Sequence, residues 1–424
     1  MRGSLVMIER GRWVLTCWFS TGLLLRCFLT PHTSHLTPDT AEAASVEYQD
    51  GLPIVYLSGT PYELGYQHGS ALREEVRASV SHVLGYFRRY LKIPLVRTWA
   101  AHWWLDRPWR AARPFVPPDY LEELKGLADG SGVALRDLYR LHALPDRTYS
   151  CANFAAWGRA TRHGRLIHAR NLDWNIDVGI QQFSTVFVVH SVGKHAFINL
   201  GWAGFIGVLT GVNDAQLSIG QVGAETVDAT FRGEPMVFVM RRVLEEAGTL
   251  EKATDLIRTA RRTVGVNYVI ADAKARSGLV IETTHRDVRV FAADDPAEHA
   301  VVYARPMSDA VFRADTAIDP GIRDRQLASH GDPRRPGLEP PSGSAYEVRY
   351  LGQATGLHAS FGQLDPLAAQ AIAKSIAPSS NVQSVVFAWP ELWVANAQRT
   401  TPAAQTPYHR LNAQRLLATS KNVE

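Results

Sequence analysis

The chain has 424 residues, 46% of them hydrophobic and 20% charged, a length and balance that fit an ordinary globular protein with a large core. Its formal net charge is only +4, and the Lys and Arg are scattered rather than set in a basic stripe, which excludes nucleic acid as a partner.

Arg10 and Arg12 precede the apolar run WVLTCWFSTGLLL (Trp13 to Leu25), which Arg26 interrupts. Positive charge before an apolar run too short for a membrane span of roughly 20 residues is the pattern of a signal-peptide core. The small residues AEAAS (Ala41 to Ser45) offer a cleavage pattern. Residues 1–45 are therefore expected to be a signal peptide, or an N-terminal membrane anchor if left uncut. The protein is expected to be exported, to the periplasm or outside the cell. Of the three cysteines, Cys17 and Cys27 lie in this leader and Cys151 stands alone beyond it. An unpaired thiol in an oxidising compartment is a liability unless it is buried or used.

From Val46 to Ser150 the pattern is mainly helical. GLPIVYLSGT (Gly51 to Thr60) reads as an opening strand and turn. In the following YELGYQHGSALREEVRASVSHVLGYFRRYL, Val76, Val80, Val83, Leu84 and Phe87 recur at helical spacing and predict an amphipathic helix. TWAAHWWLDRPW gathers Trp99, Trp103, Trp104 and Trp109, either as packing or as an apolar surface for an acyl chain or membrane. PPDYLEELKGLADGSGV predicts another helix, capped by Asp119 and closed by glycines.

After Ser150 strands take over. CANFAAWGRAT and RLIHARNLDW predict a hairpin about the turn RHG, STVFVVHSV and HAFINLGWAGF a second, and GVLTGVNDAQLSIGQ turns at Asn213-Asp214. Helices follow at PMVFVMRRVLEEAG and TLEKATDLIRTARR, then strands in VNYVIADAKARSGLVIETTHRDVRVF. The stretch from Asp315 to Ser344, rich in Pro, Gly and charge, predicts a long surface excursion or a partly disordered linker, and SVVFAWPELWVANA is strand-like again. Strands, two helices and strands again predict an α+β layered sandwich rather than a parallel βαβ sheet.

No G-x-S-x-G elbow, H-E-x-x-H, paired C-x-x-C, G-x-G-x-x-G or P-loop occurs, so the sequence points to no metal and no cofactor. What remains is Cys151, with Arg170 and Asp173 across the predicted hairpin. Three apart on a strand, these two side chains face opposite sides unless a bulge or strand end turns both into one pocket. A solvated hairpin end accounts for them equally well.

YELGYQHG, DYLEELKGLADGSGV, SCANFAAWGRATRHGRLIHARNLDW and GVLTGVNDAQLSI together resemble the penicillin acyltransferase (isopenicillin N acyltransferase) family. More distantly they resemble choloylglycine hydrolases and N-acylethanolamine-hydrolysing acid amidase. The likeness runs from about Gly51 to Glu282 and is most specific in the block that starts at Cys151. It implies an N-terminal-nucleophile hydrolase with a four-layered αββα sandwich, made as a precursor that breaks its own Ser150–Cys151 bond. The helical segment, 46–150, would become one subunit and the strand-rich catalytic part, 151–424, the other, held together as a heterodimer.

In such an enzyme the new terminus is its own base. An α-amine titrates at about pH 8 and can take the thiol proton, so Cys151 needs no histidine. By the family motif, Asp173 would hold the free α-amine. Arg170 would lower the thiol pKa and help place the substrate carbonyl. Asn213 and Asn267 would donate to the oxyanion, the alternative for each being a turn residue. Ala152 and Asn153 depart from the Thr or Ser common after the nucleophile, which bears on substrate preference. The expected reaction is hydrolysis or transfer of the acyl group of a small-molecule amide through a thioester. Two rivals are an uncleaved hydrolase of Cys–His type and a non-catalytic envelope binding protein with the same fold.

Overall fold

The computed structural model describes residues 44–90, 106–146, 150–326 and 346–419, together with the backbone of strands β1 (Trp13–Trp18) and β2 (Arg26–Pro31). β1 and β2 pair as an antiparallel hairpin in a unit of their own, residues 1–42. Of the expected leader, residues 1–12, 19–25 and 32–43 lie outside the described residues, as do Trp99, Trp103 and Trp104. No described helix is long and apolar enough to cross a membrane.

Two sheets make up the second unit, residues 43–424. From edge to edge, one holds β3 (Ser45–Gln49), β4 (Leu52–Gly59), β7 (Ser184–Ser191), β8 (Phe197–Trp202), β9 (Thr210–Asn213), β10 (Leu217–Gly223), β11 (Val266–Asp272), β12 (Ser277–Thr283) and β13 (Val288–Phe291). The other holds β14 (Ala310–Arg313), β5 (Ser150–Gly158), β6 (Gly164–Asp173), β15 (Asn381–Ala388), β16 (Glu391–Asn396) and β17 (His409–Asn412). Among these pairs only β4 and β7 run parallel.

Side-chain alternation sorts the layers, because successive residues of a strand face opposite sides. In β4, Val55 and Leu57 pack under helices α1 (Pro61–Ala71), α2 (Arg73–Tyr90), α3 (Pro118–Ser131), α4 (Leu135–His142), α5 (Met236–Glu246) and α6 (Leu250–Thr259). Their neighbours Ile54 and Tyr56 point the other way, onto Val385, Phe387, Leu392 and Val394 of the second sheet. Ala155 and Trp157 of β5 join that middle layer against Val269, Ala271 and Val280. Phe154 and Ala156 instead meet the outer helices α7 (Gly352–Ala359) and α8 (Pro366–Ser375). The order is helix, sheet, sheet, helix: the αββα sandwich expected.

Several local expectations change. The single long helix breaks at Leu72 into α1 and α2, α1 being closed at its start by a capping box of Thr60 and Glu63. Asp119 does not cap α3, which starts after Pro117 with no side-chain cap; its carboxylate accepts from Lys194 Nζ at 3.1 Å. Gly132, at φ +72°, ends that helix in the left-handed conformation glycine tolerates. Trp109 is buried and stacks on Tyr139 at 4.5 Å, a packing role. The predicted surface excursion does not begin at Asp315: Asp315, Thr316, Ala317 and Ile318 are all buried, and residues 327–345 lie outside the described ones.

Candidate active site

Cys151 lies at the second position of β5, and its side chain is fully buried. Parity places it on the inter-sheet side, with Asn153, Ala155 and Trp157. On the paired strand β6, Arg170 stands opposite Asn153 and faces the same layer. Its Nη2 donates to Cys151 Sγ at 3.2 Å, its Nε to the Gln221 carbonyl at 3.2 Å, and its Nη1 to Thr210 Oγ1. Gly220 makes room for it, since a Cβ there would come within 2.6 Å of Arg170 Cδ. Gln221 adds a second, longer contact to the sulfur, Nε2 at 3.5 Å. None of the described contacts of Cys151 is to a histidine; His168, on the same face as Arg170, is held by Ser218 and Asn153.

Asp173 obeys the period-two rule and lies on the opposite face from Arg170. Its Oδ2 pairs with Arg349, and its Oδ1 accepts from Asn381 Nδ2 at 2.9 Å. The carboxylate at the Ser150–Cys151 bond is a different one. The Cys151 N–H donates to Asp315 Oδ1 at 2.7 Å, and Ser150 Oγ donates to Asp315 Oδ2. Arg349 closes the group, with Nη1 at 3.3 Å from Ser150 Oγ and 3.9 Å from Asp315 Oδ2. The bond is thus flanked by Arg170 at the thiol, Asp315 at the nitrogen and the Arg349–Asp173 pair behind Ser150.

Neither predicted oxyanion donor faces this bond in the uncut chain. Asn213 Nδ2 donates to the carbonyls of Leu244 and Ala247 at 3.0 and 2.8 Å, and its Oδ1 accepts from Leu217 N at 2.9 Å. In the uncut chain it serves as a turn residue tied to the end of α5. Asn267 is nearer: its Nδ2 donates to the carbonyls of Ala314 and Thr316, on either side of Asp315, at 3.3 and 3.4 Å. Its Oδ1 is buried and has no partner among the described residues.

Electrostatics keep the thiol protonated here. Burial pushes the Cys151 pKa up to about 12; Arg170 pulls it down, while Asp173 and Asp315 push it further up. The expected lowering by Arg170 is real in sign but smaller than the desolvation cost. Burial likewise raises the Asp173 carboxyl, against the pull of Arg349.

An apolar cleft of about 50 Å³ opens beside Gln221 and Asp173, walled by Leu141, Leu144, Pro145, Leu172, Ile180, Trp202, Phe205 and Leu209. A more polar cleft of about 530 Å³ is lined by Ser150, Asp173, Asn175, Asp177, Ser379 and Ser380 among others. The two share Asp173 and Trp174. Among the described residues no group of His, Cys, Asp and Glu is arranged to hold a metal.

Sequence reasoning missed Asp315, Arg349, Asn381 and Gln221. Asp315 was hidden in a charged, Pro- and Gly-rich stretch, and the other three carry no local signal.

Residues 160–302 match the model of the family described as acyl-coenzyme A:6-aminopenicillanic acid acyl-transferase. Among curated relatives, protein dcd1B of Dictyostelium discoideum is 28% identical over 262 residues, covering 57% of this chain and 52% of that protein. The N-acylethanolamine-hydrolyzing acid amidase of Oryctolagus cuniculus is 24% identical over 222 residues, covering 50% and 58%. The chain spans between 44% and 67% of the length of the first curated relatives it matches. Among solved structures, the Caenorhabditis elegans ortholog of N-acylethanolamine-hydrolyzing acid amidase superposes with a TM-score of 0.42 at 18% identity, over 56% of this chain and 92% of that one. The chain is thus similar, over part of its length, to an acyl-transferase family and to an acid amidase.

Proposed function

We propose that this relative of acyl-transferases and acid amidases is itself a cysteine amidohydrolase or acyltransferase, activated when it cuts its own Ser150–Cys151 bond. Cys151 then forms a thioester with the acyl group of a small amide and passes it to water or to another amine. The observation that carries this reading is the surroundings of Cys151: a buried, unpaired thiol 3.2 Å from a guanidinium, on a residue whose own N–H faces a carboxylate. A conventional Cys–His hydrolase needs an imidazole at the sulfur, and this thiol has none among its described contacts. Once the bond is cut, the α-amine supplies the base.

The apolar cleft between Leu141, Trp202 and Phe205 suits the hydrocarbon part of an acyl group, and the polar cleft across Asp173 suits the amine side. The two subunits are 46–150 and 151–424. The leader, 1–45, directs export and is either removed or kept as an anchor at the membrane.

The test is denaturing intact mass of freshly purified protein beside Cys151→Ala. Wild type should resolve into two chains that meet at Ser150–Cys151, and the variant should stay whole. An uncut wild type that still hydrolyses amides would refute the maturation step.

A further inference from the structure

Asp315 stands out because every neighbour serves to hold it where it is. Its backbone carbonyl accepts from Gln326 Nε2 at 3.2 Å, and Asn267 ties down the carbonyls before and after it. Two residues on, Gln326 Oε1 accepts from Ala317 N at 2.9 Å. Buried Glu282, itself paired with Arg313, accepts from the N–H of Ile318 at 2.7 Å and of Asp319 at 2.9 Å. Two sheets therefore converge on one loop, and the product of that convergence is a buried carboxylate aimed at the nitrogen of a single peptide bond.

Resting on the maturation reading above, we propose that Asp315 is a catalytic residue of the self-cleavage, partnering the departing nitrogen, and the lasting counter-charge of the α-ammonium that cleavage creates. In the cut, Cys151 Sγ attacks the Ser150 carbonyl carbon; the C–S bond forms and the C–N bond breaks. The thiol proton moves to the departing nitrogen, which becomes an amine. Solvent supplies a second proton that charges this amine beside Asp315; water then hydrolyses the thioester, restoring the thiol and giving the Ser150 carboxylate, whose proton returns to solvent. As the amide nitrogen becomes pyramidal it gains basicity, and a fixed carboxylate at 2.7 Å stabilises the positive charge that develops there. Asp173 is not placed to do this in the uncut chain, because Arg349 and Asn381 occupy both its oxygens.

The return reaction gives the test its signature. The amine re-attacks the thioester only when neutral, so a carboxylate that keeps it charged drives the cut forward. Asp315→Asn, Asp315→Glu, Cys151→Ala and wild type are followed by intact mass from pH 5.5 to 8. Asp315→Asn should cut roughly ten- to a hundredfold more slowly than wild type at neutral pH, the scale of a lost charged hydrogen bond. That ratio should shrink as the pH falls, since the amine then charges unaided, and Asp315→Glu should recover part of the rate. Equal rates for Asp315→Asn and wild type, or one ratio at every pH, would overturn the proposal while leaving the maturation reading intact. A wild type that never cuts overturns both.

A second measurement needs no variant. Competitive acylation of matured wild type across pH, read on the peptide beginning at Cys151, gives the pKa of the α-amine. Beside a carboxylate it should exceed the ordinary range of about 7.7–8.0; a value within or below that range would also overturn the proposal.

Discussion

The ring of His142 is fully buried between Phe205, at 4.6 Å, and Phe238, at 5.8 Å. Its Nε2 accepts from Ile206 N at 2.9 Å, so Nδ1 carries the proton and donates to the Leu138 carbonyl at 2.8 Å. Burial lowers its pKa from 6.5 to about 4. The unfolded chain binds that proton first, so this stability is present above the ordinary value and is lost as pH falls toward the folded one. His142→Gln should remove about 2 kcal/mol from the stability lost between about pH 7 and pH 5; urea unfolding of both proteins at the two pH values measures it. At this scale the sequence revealed what a local motif can carry. Cys151 and Arg170 fall in one hairpin, and two antiparallel strands bring them together at 3.2 Å. Asp315 and Arg349 reach the same bond from far along the chain, and nothing adjacent to them in sequence marks that meeting.

Helices α1 and α3 touch backbone to backbone. A Cβ on Gly65 would lie 1.9 Å from the Glu123 carbonyl oxygen, and one on Gly126 would lie 2.1 Å from that of Tyr62. Gly69 and Gly130 repeat the contact one turn further on, at 2.5 and 2.4 Å from main-chain oxygens. Both helices carry glycine at i and i+4, which puts a smooth stripe on one face of each. The sequence segments YELGYQHG and LKGLADG were readable as markers of relatedness, and the structure supplies their physical cause. Gly126→Ala should destabilise the protein by about 3 kcal/mol, because a main-chain oxygen cannot yield as a side chain would. Urea unfolding, or loss of soluble protein if the cost exceeds the total stability, tests this. The helix break at Leu72 had no such signal: the apolar spacing continues across it, and only the packing of α1 onto α3 turns the chain.

In the whole molecule, the segment ahead of Cys151 is part of the fold rather than an appendage. It contributes β3 and β4 to the nine-stranded sheet, with β4 paired along its length to β7, and four of the helices above that sheet. After cleavage the two chains should co-elute in native size exclusion and separate only in denaturant; a freed 46–150 fragment in buffer would contradict this. The layered α+β class was legible from the succession of strands and helices. The parallel β4–β7 pairing was not, because parallel strands need a long crossover and leave no turn motif between them. That pairing also bears on what happens after heat or acid has opened the molecule. The uncut chain carries both halves of the sheet on one thread, so its refolding would be unimolecular. On the proposed self-cleavage, the cut form would have to find its partner again, a bimolecular search that slows as the protein is diluted and competes with aggregation. If the chain matures as proposed, the cut acts as a ratchet: it trades reversibility for activity, and the working lifetime becomes a matter of how slowly β4 lets go of β7.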